Sequence, residues 1–299
     1  MADIYIQVGQ SIRADSGQYY KILQFLGSGA NAFAYRCICT SGYNRGIEFV
    51  IKLQYNLSTE IRRLRFLREV AFLRSCNHPA ILSQYDLGTF VTAQESFPFM
   101  VTNFMPETLK NKLLGQPLSF ESKIKYSCQL LSAVALLQSQ NIIHRDIKPN
   151  NIFISNDNAV LGDFGLIKKI EVEDRATIDD DIELVNSTVI SNFSGYAAMA
   201  RYYRTPELVN YANRTDNLRL ESDVFQLGLV LTELFTGKNP LRPSEDLHSP
   251  IELDDIDFVE APHHGRVIRE TLMGMLQLDF RSRIKINLAI DRFTGIYTT

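Results

Sequence analysis

Residues 141–158, NIIHRDIKPNNIFISNDN, bring an aspartate, a lysine and an asparagine together: Asp146, Lys148 and Asn151 lie within six positions. Pro149 keeps this stretch from forming a regular helix, because it has no N–H and clashes with the preceding turn. A loop is therefore expected, able to turn a base, a cation and a metal-ligating amide into one cleft. Twelve residues after Asn151, Asp163 stands in Leu-Gly-Asp-Phe-Gly behind a short apolar run. Carboxylate and amide oxygens are the hard ligands that Mg²⁺ takes alongside nucleotide phosphates. The spacing points to chemistry on a magnesium-bound phosphate.

Two further features are ambiguous singly. Lys52 sits in Val-Ile-Lys with apolar Val50 and Ile51 before it, and an ammonium among buried neighbours needs an anion. Glu69 on the next helical stretch is the candidate partner; its alternative is a surface pair with Arg65 one turn earlier. Upstream, Leu26-Gly27-Ser28-Gly29 opens a short loop between two strand-like runs. Glycines there allow backbone N–H groups to fold over an anion. Taken alone, Gly-Ser-Gly reads as a plain hairpin turn.

Positioning these groups requires strands first and helices later. Residues 21–26 (KILQFL), 32–39 (AFAYRCIC) and 47–53 (IEFVIKL) read as strands, with a polar hairpin, TSGYNRG, before the last. From 58 to about 76 the period changes: Ile61, Leu64, Leu67 and Ala71 predict the apolar stripe of a helix capped by Ser58 or Thr59. Residues 97–104 read as another strand. Beyond Pro106 helices are expected over 122–139, 223–235 and 266–278. Strands followed by helices imply an α+β arrangement in two lobes, with a cleft as the usual place for a small ligand.

Composition bounds the possibilities. The 299 residues are 45% hydrophobic and 22% charged, with 16 Gly and 10 Pro, and the net charge is −3. This is ordinary globular usage, which excludes collagen-like and disordered classes. The slight acidic excess argues against nucleic acid as a partner. No run reaches membrane-span length and no secretory signal is visible. Cys37, Cys39, Cys76 and Cys128 match neither zinc spacing nor a CxxC pair, so free thiols in a cytoplasmic setting are expected.

Taken together, these motifs resemble the eukaryotic-type protein kinase family over roughly residues 20–292. GSGANAFA looks like its glycine-rich loop, VIK like its strand lysine, and Glu69 occupies the position of its helix-C glutamate. HRDIKPNN is similar to the catalytic loop and DFG is intact. Thr205-Pro206-Glu207 stands in place of APE, the helix with Asp223 follows, and Arg283 matches the arginine expected to pair with Glu207.

The resemblance implies a bilobal kinase-like fold in one domain spanning 1–299, with a small β-rich lobe over about 18–105 and a helical lobe over about 106–295. It implies ATP and Mg²⁺ as cofactors and a protein with a Ser/Thr acceptor as partner, its own activation segment included. Asp146 would handle the acceptor hydroxyl proton and Lys148 the γ-phosphate. Asn151 and Asp163 would hold metal. Lys52, set by Glu69, would meet the α- and β-phosphates. Leu26, Gly27, Ser28, Gly29, Ala32, Ala34 and Val50 would cover the nucleotide. Thr102 would be the gatekeeper, with the Asn103 and Met105 backbones on the adenine. Lys148 two places after Asp146 resembles the serine/threonine branch.

The chain departs from the pattern in places. Ala32 replaces the third glycine, Ala34 replaces the roof valine, and Gln84 or Tyr85 falls where an apolar residue is expected. These support the alternative of a kinase-fold scaffold with weak or no turnover. The interval 163–207 holds an acidic run (Glu171, Glu173, Asp174, Asp179, Asp180, Asp181 and Glu183), read as a solvated loop. Ser187, Thr188, Ser191 and Ser194 follow. A phosphate there, with Ser194 the first choice, would pair with Arg145 or with Arg62, Arg63, Arg65 and Arg68.

Overall fold

The computed structural model describes residues 5–29, 31–170, 203–244, 246, 248–257 and 264–298. The acidic run, the four candidate hydroxyls after it, Ala30 and residues 200–202 lie outside the described residues. The chain divides into two compact units, Met1–His78 with Leu82–Met105, and Pro79–Ile81 with Pro106–Thr299.

The first unit is an antiparallel sheet with one helix. Strands β1 (Ser11–Arg13), β2 (Tyr19–Ser28), β3 (Ala32–Cys39), β4 (Glu48–Gln54), β5 (Gln84–Val91) and β6 (Ser96–Asn103) lie in the order β1-β2-β3-β4-β6-β5. Alternation along β3 and β4 sends Tyr35, Cys37, Phe49, Ile51 and Leu53 into a core with Tyr20, Ile22, Phe99 and Val101. The opposite face carries Ala34, Val50, Lys52 and Thr102. Cross-strand register sets Ala34 opposite Lys52, Lys52 opposite Met100, and Val50 opposite Thr102. The strand between residues 84 and 91 has no strict alternation in sequence and emerges only through its pairing with β6.

Helix α1 (Glu60–Ser75) starts at Thr59, whose hydroxyl accepts from the Arg62 N–H at 3.4 Å. Its buried face differs from the expected stripe. Phe66, Glu69, Phe72 and Leu73 are buried, whereas Leu64 and Leu67 are 42% and 58% exposed and Ala71 is also exposed. The helix is apolar in two directions, and the ion pair of Glu69 with β4 decides which one faces the sheet.

The second unit is mostly helical. A two-residue strand β7 (Glu107–Thr108) leads into α2 (Leu109–Leu114) and α3 (Phe120–Ser139). Strand β8 (Ile142–Ile143) precedes the catalytic-loop motif, which closes in a 3₁₀ turn at Pro149–Asn151. Strands β9 (Ile152–Ser155), β10 (Asn158–Leu161) and β11 (Lys168–Lys169) flank the DFG segment, with β9 between β10 and β7, and β11 on β8. Helices α4 (Pro206–Ala212), α5 (Glu221–Thr236), α6 (Gly265–Met275) and α7 (Ile286–Tyr297) follow. The near-continuous apolar run of α5 reflects burial on all sides, with nearly every residue from Ser222 to Leu234 inside. Among the described residues, no helix is long and apolar enough to cross a membrane.

Two helical glycines differ in the space around them. A Cβ on Gly228 of α5 would lie 2.9 Å from Met275 Cβ of α6, whereas one on Gly295 of α7 would meet nothing within 4 Å. Met275 Cβ is fixed to its backbone, so relief requires moving a helix, at about 1–3 kcal/mol for overpacking. Gly228→Ala should therefore lower the unfolding free energy despite the better helix propensity of alanine. Gly295→Ala should raise it by about 0.5–1 kcal/mol. Urea unfolding of both variants checks this, and shifts of the same sign would contradict it.

Candidate active site

In the first unit, Lys52 Nζ donates to Glu69 Oε1 at 2.8 Å and to Oε2 at 3.1 Å. The Glu69 side chain is 4% exposed and that of Lys52 28%. Two-point contact with a buried carboxylate is what an ammonium in an apolar strand needs. Glu69 is thus buried against Lys52 rather than lying on the surface.

The glycine-rich loop is a tight β2–β3 hairpin. Gly29 N–H donates to Ala32 O at 2.8 Å. Gly27 takes φ +149°, which an L side chain rarely adopts. Leu26 is exposed, while Ala32 is buried opposite Gln54. At the end of β6, Thr102 is buried, and Asn103 is tied at both ends. Its N–H donates to Ser83 O at 3.4 Å, its Oδ1 accepts from Ser83 N–H at 3.2 Å, and its Nδ2 contacts Met105 Sδ at 3.2 Å.

In the second unit, the loop after β8 gathers three of the expected side chains. Lys148 Nζ donates to Asp146 Oδ1 at 2.9 Å and Oδ2 at 2.8 Å, and Asn151 Nδ2 donates to Oδ2 at 2.8 Å and to Asp146 O at 2.9 Å. With Nδ2 committed to Asp146, Asn151 has its Oδ1 as the metal-type donor. Burial pushes the Asp146 carboxyl above its ordinary value, against the pull of the Lys148 ammonium and its hydrogen bonds. Burial works against the Lys148 charge too, yet the Asp146 carboxylate holds that ammonium above its ordinary range.

The loop's conformation is imposed from below. Asp223, on the first turn of α5, accepts from His144 N–H at 2.7 Å and Arg145 N–H at 3.0 Å. Arg145 takes φ +70° and Asp163 φ +58°, left-handed backbone that is uncommon outside glycine and asparagine. Such positions persist where surrounding bonds over-determine them. Gln226, one turn after Asp223, accepts from Ile147 N–H at 3.0 Å and donates to Arg145 O at 3.0 Å and Tyr203 O at 2.9 Å. Sequence reasoning did not single out Gln226. The available signal was one amide inside an apolar helix, a group that must find partners when buried.

His144 is fully buried. Its Nε2 lies 3.1 Å from Gly162 O, and its Nδ1 accepts from Asp146 N–H at 3.3 Å, so the neutral ring carries its proton on Nε2. Its edge meets Phe164 of DFG at 4.8 Å between centroids. Asp163 itself is exposed. Further on, Glu207 of α4 pairs with Arg283 at 2.8 Å, both side chains buried.

A protein kinase domain model matches residues 20–292. The chain belongs to the protein kinase domain family. This kinase domain is 32% identical over 238 residues to a probable serine/threonine-protein kinase of Dictyostelium discoideum, covering 78% of the chain and 13% of that protein. It is 28% identical over 238 residues to the probable serine/threonine-protein kinase PknB of Lactococcus lactis, covering 79% and 34%. It is also 28% identical over 284 residues to the mitogen-activated protein kinase mpkB of Aspergillus fumigatus, covering 92% and 73%. The chain thus spans about an eighth and a third of the first two relatives.

Burial drives the His144 pKa down to about 4 from 6.5. Between those values the unfolded chain binds the proton and the folded kinase domain does not. This contribution to stability is therefore present above pH 6.5 and is lost as pH falls toward 4. Burial raises Asp223 to about 7, which acts in the opposite direction but is common to wild type and a His144 variant. His144→Gln should be less stable than wild type at pH 7, with the gap shrinking by about 2–3 kcal/mol toward pH 4. Urea midpoints at stepped pH test this; a gap that widens on acidification would contradict it.

Proposed function

We propose that this chain is an active serine/threonine protein kinase that transfers the γ-phosphate of ATP to hydroxyls of protein substrates, its own activation segment among them. The observation that carries the reading is the Asp146 carboxylate held jointly by Lys148 and Asn151 on a loop whose backbone Asp223 fixes. We read residues 1–299 as one kinase domain of two lobes.

The residues fit a magnesium nucleotide by their donor chemistry. Asn151 Oδ1 and the Asp163 carboxylate are two hard oxygens, the number that suits an ion completing its shell with phosphates and water. Mg²⁺ when bound neutralises phosphate charge. Lys52, aimed by Glu69, is assigned to the α- and β-phosphates, and Lys148 to the γ-phosphate. Gly27, Ser28 and Gly29 offer backbone N–H groups to the phosphates. Leu26, Ala32, Ala34 and Val50 supply cover, Thr102 the gatekeeper, and Asn103 and Met105 the backbone contacts to adenine.

Asp146 is assigned to orient the acceptor hydroxyl and receive its proton. Its ionised form is favoured by Lys148 and Asn151, both of which donate to it, so the carboxylate remains a proton acceptor despite its burial. The lysine at 148 supports Ser/Thr rather than Tyr acceptors, as do the relatives' names. Catalysis of this kind rests on positioning and charge neutralisation, so loss of one such group commonly costs about 10²-fold or more in rate.

The purified chain with labelled ATP and Mg²⁺, alone and with a generic protein substrate, should incorporate label. Asp146→Asn should abolish incorporation, and Lys52→Met should reduce it by about 10²-fold or more while circular dichroism shows the fold intact. Label in wild type and Asp146→Asn alike would reveal a contaminant. No label under any condition would leave the scaffold reading.

A further inference from the structure

The N-terminal residues are bound to the sheet they precede. Gly9 N–H donates to Ile22 O and Ile22 N–H to Gln10 O, both at 2.9 Å. Ile6 is buried, and its N–H reaches Tyr35 Oη at 3.3 Å. This lays the Tyr5 ring on Phe33 of β3, 5.1 Å between centroids with planes 29° apart. Phe33 also stacks on Tyr55, just beyond β4, at 4.3 Å and 24°.

Tyr55 in turn grips the glycine-rich loop twice. Its hydroxyl donates to Gly29 O at 2.8 Å, and its own N–H donates to Asn31 O at 3.0 Å. A loop containing Gly27 and Gly29 loses much conformational freedom when ordered. Holding it beforehand removes that cost from ligand binding. The stack is a continuous physical connection from Tyr5 to the loop backbone, all within the first unit.

We propose that Tyr55 is a positioning residue for the nucleotide-covering loop, and that the N-terminal segment, through Tyr5 and Phe33, holds it in place. This rests on the kinase reading above. Tyr55→Phe deletes only the bond to Gly29 O and keeps the stack, whereas Tyr5→Ala removes the outer ring, which is 57% exposed. Tyr43→Ala, a fully exposed residue of the β3–β4 hairpin, is the control.

The test uses the full chain in two measurements. Amide hydrogen exchange without nucleotide should show faster exchange over residues 27–33 in Tyr55→Phe and Tyr5→Ala, and no change in Tyr43→Ala. Calorimetric titration with Mg²⁺ and a non-hydrolysable ATP analogue should show binding weakened about 3- to 10-fold in Tyr55→Phe, the scale of one neutral hydrogen bond. The KM for ATP should rise with it, leaving kcat, the KM for protein substrate and the melting temperature near wild type. A purely structural role would lower the melting temperature without this split. Wild-type exchange in both variants overturns the proposal, and faster exchange with unchanged affinity overturns the link to the nucleotide. Failure of wild type itself to bind the analogue overturns the kinase reading, and is distinguishable because it appears before any substitution.

Discussion

The carboxylate of Asp223 beneath the catalytic loop is the constraint on which the second unit depends. Two backbone N–H groups, those of His144 and Arg145, point at it from a segment that is neither helix nor strand. Buried N–H groups left unpaired cost about 1–3 kcal/mol each, so the loop must keep the conformation that reaches the carboxylate. That conformation includes the left-handed backbone of Arg145. Gln226 adds two bonds to the loop from the next turn of the same helix, at Ile147 N–H and Arg145 O. The loop bearing Asp146, Lys148 and Asn151 is thereby held from α5 as well as by its own hydrogen bonds.

The first unit solves a different problem. Lys52 is on the sheet face opposite the core, and its partner comes from α1. A buried ion pair contributes little net stability, because desolvation offsets most of the attraction. Its consequence is orientational. Glu69 can reach Lys52 only if α1 presents that side to the sheet, and Phe66, Phe72 and Leu73 are then the side chains carried inward.

This explains what was legible in the sequence. The grouping of Asp146, Lys148 and Asn151 was, because they are close in sequence and a proline-containing loop keeps them so. Strand β3 was, since AFAYRCIC is a short apolar, aromatic-containing run bounded by turn signals, and it spans Ala32–Cys39. The rotation of α1 was not: Ile61, Leu64, Leu67 and Ala71 form as good a stripe as the face actually buried. The decisive residue was a glutamate, which periodicity counts as polar. Strand β5 and the two-residue strands β7, β8 and β11 carry too little pattern to be read without their partners. Gln226 looked like one polar residue in an apolar helix until the carbonyls it serves were in place.

The distribution of burial also separates the three aspartates by task. Asp223 and Asp146 are both shielded from water, and burial raises both carboxyls. For Asp223 the compensation is two backbone dipoles, which suit a group that holds the loop in place. For Asp146 it is a side-chain ammonium and a side-chain amide. Asp163 is exposed. Three carboxylates of one residue type are thus made unlike by what surrounds each.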